Sequence, residues 1–170
     1  MNLQWIGSAL IILGCGGVGF LMAYQEKREL YCLRQLMKAL EYMDAELSYH
    51  LTALPELFRS AAALVGDPVR CLLLKMAVEL DRQILPNATY CMDAAIAQVP
   101  ELPKRTAQAC QELSSALGCF DLEGQRKGIA AVMTFCHRAC EELEKNRPQR
   151  LRSYQTLGLC AGAALVILLI

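Results

Sequence analysis

All of the charge in this chain lies in its middle. The 17 basic and 17 acidic side chains fall between Glu26 and Arg152, and neither the 25 residues before that stretch nor the 18 after it carry one. The averages conceal this: 55% hydrophobic residues and a mean hydropathy of +0.28 sit oddly beside 20% charged residues. Over residues 26–152 alone the charged share rises to about 27%, ordinary for a water-soluble domain. The ends have the opposite character. Leu3–Tyr24 is an uncharged run that as a helix extends roughly 33 Å, enough to span a hydrocarbon core. Ser153–Ile170 is shorter, at about 27 Å, and still sufficient. A cleaved signal peptide fits the first run poorly, because no basic residue precedes it and no Ala-x-Ala-like site follows it. The expected organisation is a transmembrane helix over 1–25, a soluble domain over 26–152 and a second transmembrane helix over 153–170.

Flanking charge predicts the orientation. Lys27 and Arg28 follow the first run, and Lys145, Arg147, Arg150 and Arg152 precede the second, while the outer flanks have no basic residue. Basic residues stay cytoplasmic, so the middle is expected in the cytosol and both termini beyond the membrane. Small residues let membrane helices approach closely. Cys15, Gly19 and Ala23 in the first run and Gly158 and Gly162 in the second are therefore expected to pack as an antiparallel hairpin. Net charge, meanwhile, is zero and the pI is 6.7, which excludes a nucleic-acid binder working through a broad basic face.

One motif points elsewhere. Gly14-Cys-Gly16-Gly-Val-Gly19, after the apolar Ile11-Ile-Leu13, matches the dinucleotide-binding pattern G-x-G-x-x-G. That reading requires a second strand ending in an acidic residue about 20 positions on. Glu26 to Leu51 has helical periodicity instead, so the glycines read as a packing face in the membrane.

The middle reads as helix throughout. Leu33, Leu36, Met37, Leu40, Met43, Leu47 and Leu51 form one stripe at 3–4 spacing. A short helix is expected over 54–65, ending at Gly66. Asp67-Pro68 is expected to cap and open a helix running to about Leu85, and Pro86-Asn87 to break it. Residues 88–99 form another short helix, and Lys104–Leu117 a longer one closed by Gly118. Asp121 caps the last, from about Leu122 to Arg147, whose stripe is Ile129, Val132, Met133, Cys136, Cys140 and Leu143. Pro148 is placed to kink the junction that follows. Six helices with short connectors give an all-α, antiparallel helical bundle flanked by two transmembrane helices.

Nine cysteines invite a metal or disulfide reading, but a cytosolic domain disfavours disulfides. The closest to a metal motif is Cys136-His137-x-x-Cys140, with Cys110 or Cys119 as further candidates and His50 far away in sequence. Zinc wants four ligands, or three and water, and buried cysteine is more often a small hydrophobe. Glu141, Glu142 and Glu144 read as a solvated face. No nucleophile elbow, phosphate loop or isolated acid pair appears, so no enzyme activity and no cofactor are expected.

Three early stretches carry a family resemblance: residues 5–20, then Leu33-Arg-Gln-Leu36 with Asp44-Ala-Glu-Leu-Ser-Tyr49, then Leu54-Pro-Glu-Leu57. Two later ones join them, Leu117-Gly118-x-x-Asp121-x-x-Gly124-Gln125 and the tail from Leu157 to Leu169. Together, in this order, they resemble the stage III sporulation protein AB family of endospore-forming bacteria. One departure stands between Asn87 and Gln98, where the family pattern has a tryptophan and this chain has Tyr90-Cys91-Met92. The resemblance implies an integral membrane component of the secretion-like channel joining mother cell and forespore. It implies a cytosolic domain similar to platform proteins of type II secretion and type IV pilus systems, docking a secretion-type ATPase, stage III sporulation protein AA. It implies residence in the mother-cell membrane, beside other channel subunits and without nucleic acid or a small-molecule substrate. Glu46, Tyr49, Gln125 and Arg126, whose polarity the bundle does not need, are the expected partner contacts. The competing reading is a membrane-anchored metal or thiol redox sensor built on Cys136, His137 and Cys140.

Overall fold

The computed structural model describes the backbone of residues 2–49, 52–82, 84, 87–117 and 123–145 and, within these, side chains from residue 24 onward. Among the described residues there are six helices and no strand: α1 Asn2–Tyr49, α2 Leu54–Ala63, α3 Val69–Arg82, α4 Ala88–Ala97, α5 Lys104–Leu117, and α6 over 123–145. The expected all-α class and helix order hold. The chain divides into two compact units, Glu29–Cys140 and a second formed by Met1–Arg28 with Glu141–Ile170.

The Glu29–Cys140 unit is a bundle in which α2 packs on α3, α3 on α4 and α4 on α5. Each helix buries one stripe. Along α1 it is Cys32, Leu33, Leu36, Ala39, Leu40, Met43 and Leu47, the 3–4 spacing that turns one side of a helix inward. Leu57, Phe58, Ala61 and Ala62 do the same on α2, and Leu72, Leu73, Met76 and Ala77 on α3. Burying a leucine or phenylalanine side chain contributes about 1.5–3 kcal/mol against exposure, so these stripes hold the bundle together.

Local chemistry sets the helix ends. Pro55 stands in the first turn of α2, where its missing N–H has no partner to lose. Asn87 is extended and its side-chain oxygen accepts from the backbone N–H of Tyr90 at 3.0 Å, so it caps α4 as well as ending the preceding segment. Between α2 and α3 the Asp67–Pro68 peptide is cis. Pro68 precedes the first helical residue, and its carbonyl accepts from Leu72 N–H at 3.1 Å. The expectation of Pro68 inside the first turn is thus off by one residue, and the α3 end at Arg82 falls short of Leu85.

Two glycines permit close approaches. The N–H of Gly66 donates to Gln35 Oε1 at 2.9 Å, docking the α2–α3 connector on α1. A Cβ at 66 would collide with the Tyr31 hydroxyl. At Gly128 a Cβ would collide with that of Ala116 and come within 3.3 Å of its Cα, so α5 and α6 cross almost backbone to backbone.

Gly14–Gly19 lie within α1, whereas a dinucleotide fingerprint needs a strand–turn–helix. Among the described residues no helix is long and apolar enough to cross a membrane. The side chains of residues 1–23 and everything from residue 146 onward fall outside the described residues. So do both expected spans as apolar surfaces, the hairpin contacts of Cys15, Gly19, Ala23, Gly158 and Gly162, and the Pro148 kink. Gly118 and Asp121 lie outside them as well.

Candidate functional site

Two of the four expected contact residues, Tyr49 and Arg126, come together where α1 ends and α6 begins. Ser48 Oγ donates back to the carbonyl of Asp44 at 2.7 Å, leaving the Asp44 carboxylate for a distant partner. That partner is Arg126, in the first turn of α6, whose Nε donates to Asp44 Oδ1 at 3.0 Å across 82 residues of sequence. The hydrogen bond to Asp44, and then its negative charge, hold the guanidinium above its already high ordinary pKa, with Tyr49 adding to the effect. Tyr49 itself is 83% exposed at the last residue of α1.

The other two expected contacts are committed inside the molecule. Glu46 is half-buried and accepts from Thr52 Oγ1 at 2.9 Å, which draws the chain back toward α1 after its end. Gln125 is half-buried and has an interaction of its own. In the sequence Asp44 stands out only as the start of the Asp44-Ala-Glu-Leu-Ser-Tyr49 stretch. Helical spacing gives the face a residue occupies but not its partner on another helix.

The cysteine reading separates into two parts. Cys136 and Cys140 are buried on one face of α6, while His137 is exposed, as adjacent helix positions must diverge by roughly 100°. Cys110 of α5 and Cys32 of α1 are also fully buried, and both Cys32 and Cys136 lie close enough to Cys110 to raise its pKa beyond what burial does. Burial, then Cys140 and Glu112, push the Cys136 thiol up to about 12. Thiol chemistry runs through the thiolate, and Cys110 and Cys136 are both held toward the protonated form. Among the described residues no three His, Cys, Asp or Glu side chains are placed to share a metal ion.

A second polar cluster ties α3 to the end of α4. Glu79, only 8% exposed, accepts from Arg82 Nη1 at 3.0 Å and Gln98 Nε2 at 3.2 Å. Lys75 Nζ donates to the carbonyl of Gln98 at 2.6 Å. Each member has a partner inside the bundle, the arrangement a buried carboxylate needs to offset its desolvation. At the Tyr90-Cys91-Met92 departure, Cys91 and Met92 are buried and Tyr90 is exposed, so a cysteine and a methionine line the core there.

Comparison with known proteins agrees with the fold. The family model of stage III sporulation protein AB matches residues 4–170. A relative named stage III sporulation protein AB, from Bacillus subtilis (strain 168), is 25% identical over 170 residues, spanning 98% of this chain and 99% of its own. A solved structure of a stage III sporulation protein AB superposes with a TM-score of 0.64 at 22% identity, over 72% of this chain and 98% of that one. At that identity the structural likeness speaks for the fold.

Proposed function

Because the chain belongs to the stage III sporulation protein AB family, we propose that it is a non-enzymatic integral membrane scaffold of the mother cell–forespore secretion-like channel. The sporulation role comes with the family. The finer reading is that the helical domain over 26–152 lies in the mother-cell cytosol and docks a secretion-type ATPase. The uncharged segments 1–25 and 153–170 anchor it, with both termini on the far side. The observation that carries this reading is the charge distribution: an ordinarily charged helical bundle between two uncharged ends, each flanked by basic residues on the bundle side.

A further observation supports it. The tip formed by Asp44, Tyr49 and Arg126 offers an exposed aromatic beside a positioned cation, a combination enriched where proteins bind each other. The thiol-sensor alternative loses ground, since Cys136 and Cys140 are buried, the Cys136 thiol is pushed up to about 12, and His137 is exposed.

The test is co-purification of a functional, tagged chain from sporulating cells. Recovery of the ATPase and channel subunits is expected, and a functional chain that brings down neither would refute the scaffold role. For the topology, a reporter active only outside the cytosol stays dark when inserted beside Gly66. A bright signal there inverts the assignment.

A further inference from the structure

Arg126 is bound by one edge only. Asp44 takes Nε, and the guanidinium has no other hydrogen bond or ion pair among the described residues, although 48% of the side chain is exposed. A guanidinium has a second donor edge, the Nη1/Nη2 fork, whose spacing matches the two oxygens of a carboxylate. Asp44 fixes where that fork sits, so little side-chain freedom is lost when a second anion arrives. Tyr49, exposed on the neighbouring helix end, supplies apolar area with only two rotatable side-chain bonds. Nearby Lys127 pairs with Glu123 one turn back on its own helix at 2.7 Å, and its ammonium lacks the planar two-donor fork that Arg126 presents.

We propose that Arg126 and Tyr49 form the binding hot spot of this domain, receiving an ionised carboxylate of a protein partner on the guanidinium fork and an apolar recess around the Tyr49 ring. This rests on the docking reading above and names the chemistry of its contact. Tyrosine and arginine together are the pair enriched at protein–protein hot spots, and the planar fork matches a protein carboxylate in shape and charge. Asp44 acts here as a positioning residue. It is expected to matter for binding and hardly at all for folding, because half-exposed ion pairs contribute little to stability.

The experiment uses the full chain in nanodiscs of neutral lipid and the purified sporulation ATPase as the probe. Wild type binds, and its affinity falls with added salt. Arg126→Glu lowers affinity at least thirtyfold, Arg126→Lys and Tyr49→Ala about tenfold each, and Asp44→Asn three- to fivefold, all with unchanged unfolding midpoints. The lysine variant separates fork from charge, since it keeps the charge and loses the second donor edge. A photo-crosslinker at position 49 joins the ATPase within reach of an Asp or Glu, and charge reversal of that acid restores binding to Arg126→Glu. If wild type binds but Arg126→Glu and Tyr49→Ala bind equally well, the hot spot is wrong and the docking role stands on another face. If wild type does not bind the ATPase, both fail. Crosslinks confined to lipid assign the tip to the membrane surface and overturn the proposal.

Discussion

Helix α6 meets its neighbours in two different ways within three residues. At Gly128 it crosses α5 so closely that there is no room for a side chain opposite Ala116. At Arg126 its link to α1 is one ion pair whose members are 48% and 38% exposed. The first contact is set by backbones and admits one arrangement. The second is set by long side chains in water, which can exchange one anion for another or hold two. A bundle built with both has a crossing that fixes the helices and, two residues away, a surface left open to a partner.

The strongest way to break that contrast is Gly128→Val. A branched side chain at the crossing must push α5 and α6 apart, at a cost of about 3 kcal/mol, the upper end of ordinary overpacking. Chemical denaturation measures it; a loss below about 1 kcal/mol means the crossing yields and is no firmer than the tip. Pairing Gly128→Ala with Ala116→Gly returns much of the loss that Gly128→Ala causes alone, which a double-mutant cycle reads directly.

Next in size is an alkaline weakness of the core beneath the crossing. In the folded chain Cys136 stays protonated to about 12, against an ordinary value of 9.0, so folding favours the neutral thiol. Its contribution is complete below pH 9 and is lost as pH rises from 9 toward 12, with Cys110 and Cys91 acting in the same direction. The unfolding midpoint is expected to fall across that window and to fall less steeply in Cys136→Ala. An equal slope in both proteins would assign the weakness to other groups.

Smaller again is Gly66→Ala. Its new methyl meets the end of the Tyr31 side chain, which is 45% exposed and can swing aside, so the loss is about 1 kcal/mol. Tyr31→Phe removes the clashing oxygen and leaves Cζ at an ordinary 3.5 Å, so the double variant regains most of the stability. Failure of that rescue would show that the connector docks through something other than this contact. Asp44→Ala should be smallest, with no change in midpoint. A measurable drop would make the tip structural and erase the contrast.

What the sequence disclosed follows the same division. Features governed by neighbours along the chain were legible: the α1 stripe, α5 from Lys104 to Leu117, and the breaks at Gly66 and Asn87. Helix ends were less so. Whether α3 stops at Arg82 or Leu85 depends on what its last turn packs against, and Pro68 sits one residue outside the helix it was expected to open. Long-range pairs were not legible at all. Nothing near Asp44 names Arg126, and nothing near Gly128 announces Ala116, because periodicity assigns a face and not its counterpart. Among the described residues the metal motif does not come together, for a local reason that spacing already contains: Cys136 and His137 are adjacent on a helix and face different ways.

The distribution of sulfur gives this fold a built-in clock. Of the six free cysteines described, Cys71 is half-buried and Cys32, Cys91, Cys110, Cys136 and Cys140 are buried on four different helices. A thiol-trapping reagent in excess would mark Cys71 first and reach each of the others only when its helix opens. The order in which the labels appear would then rank local openings of the bundle by free energy. Molecules bearing several labels at once would report that those openings are shared.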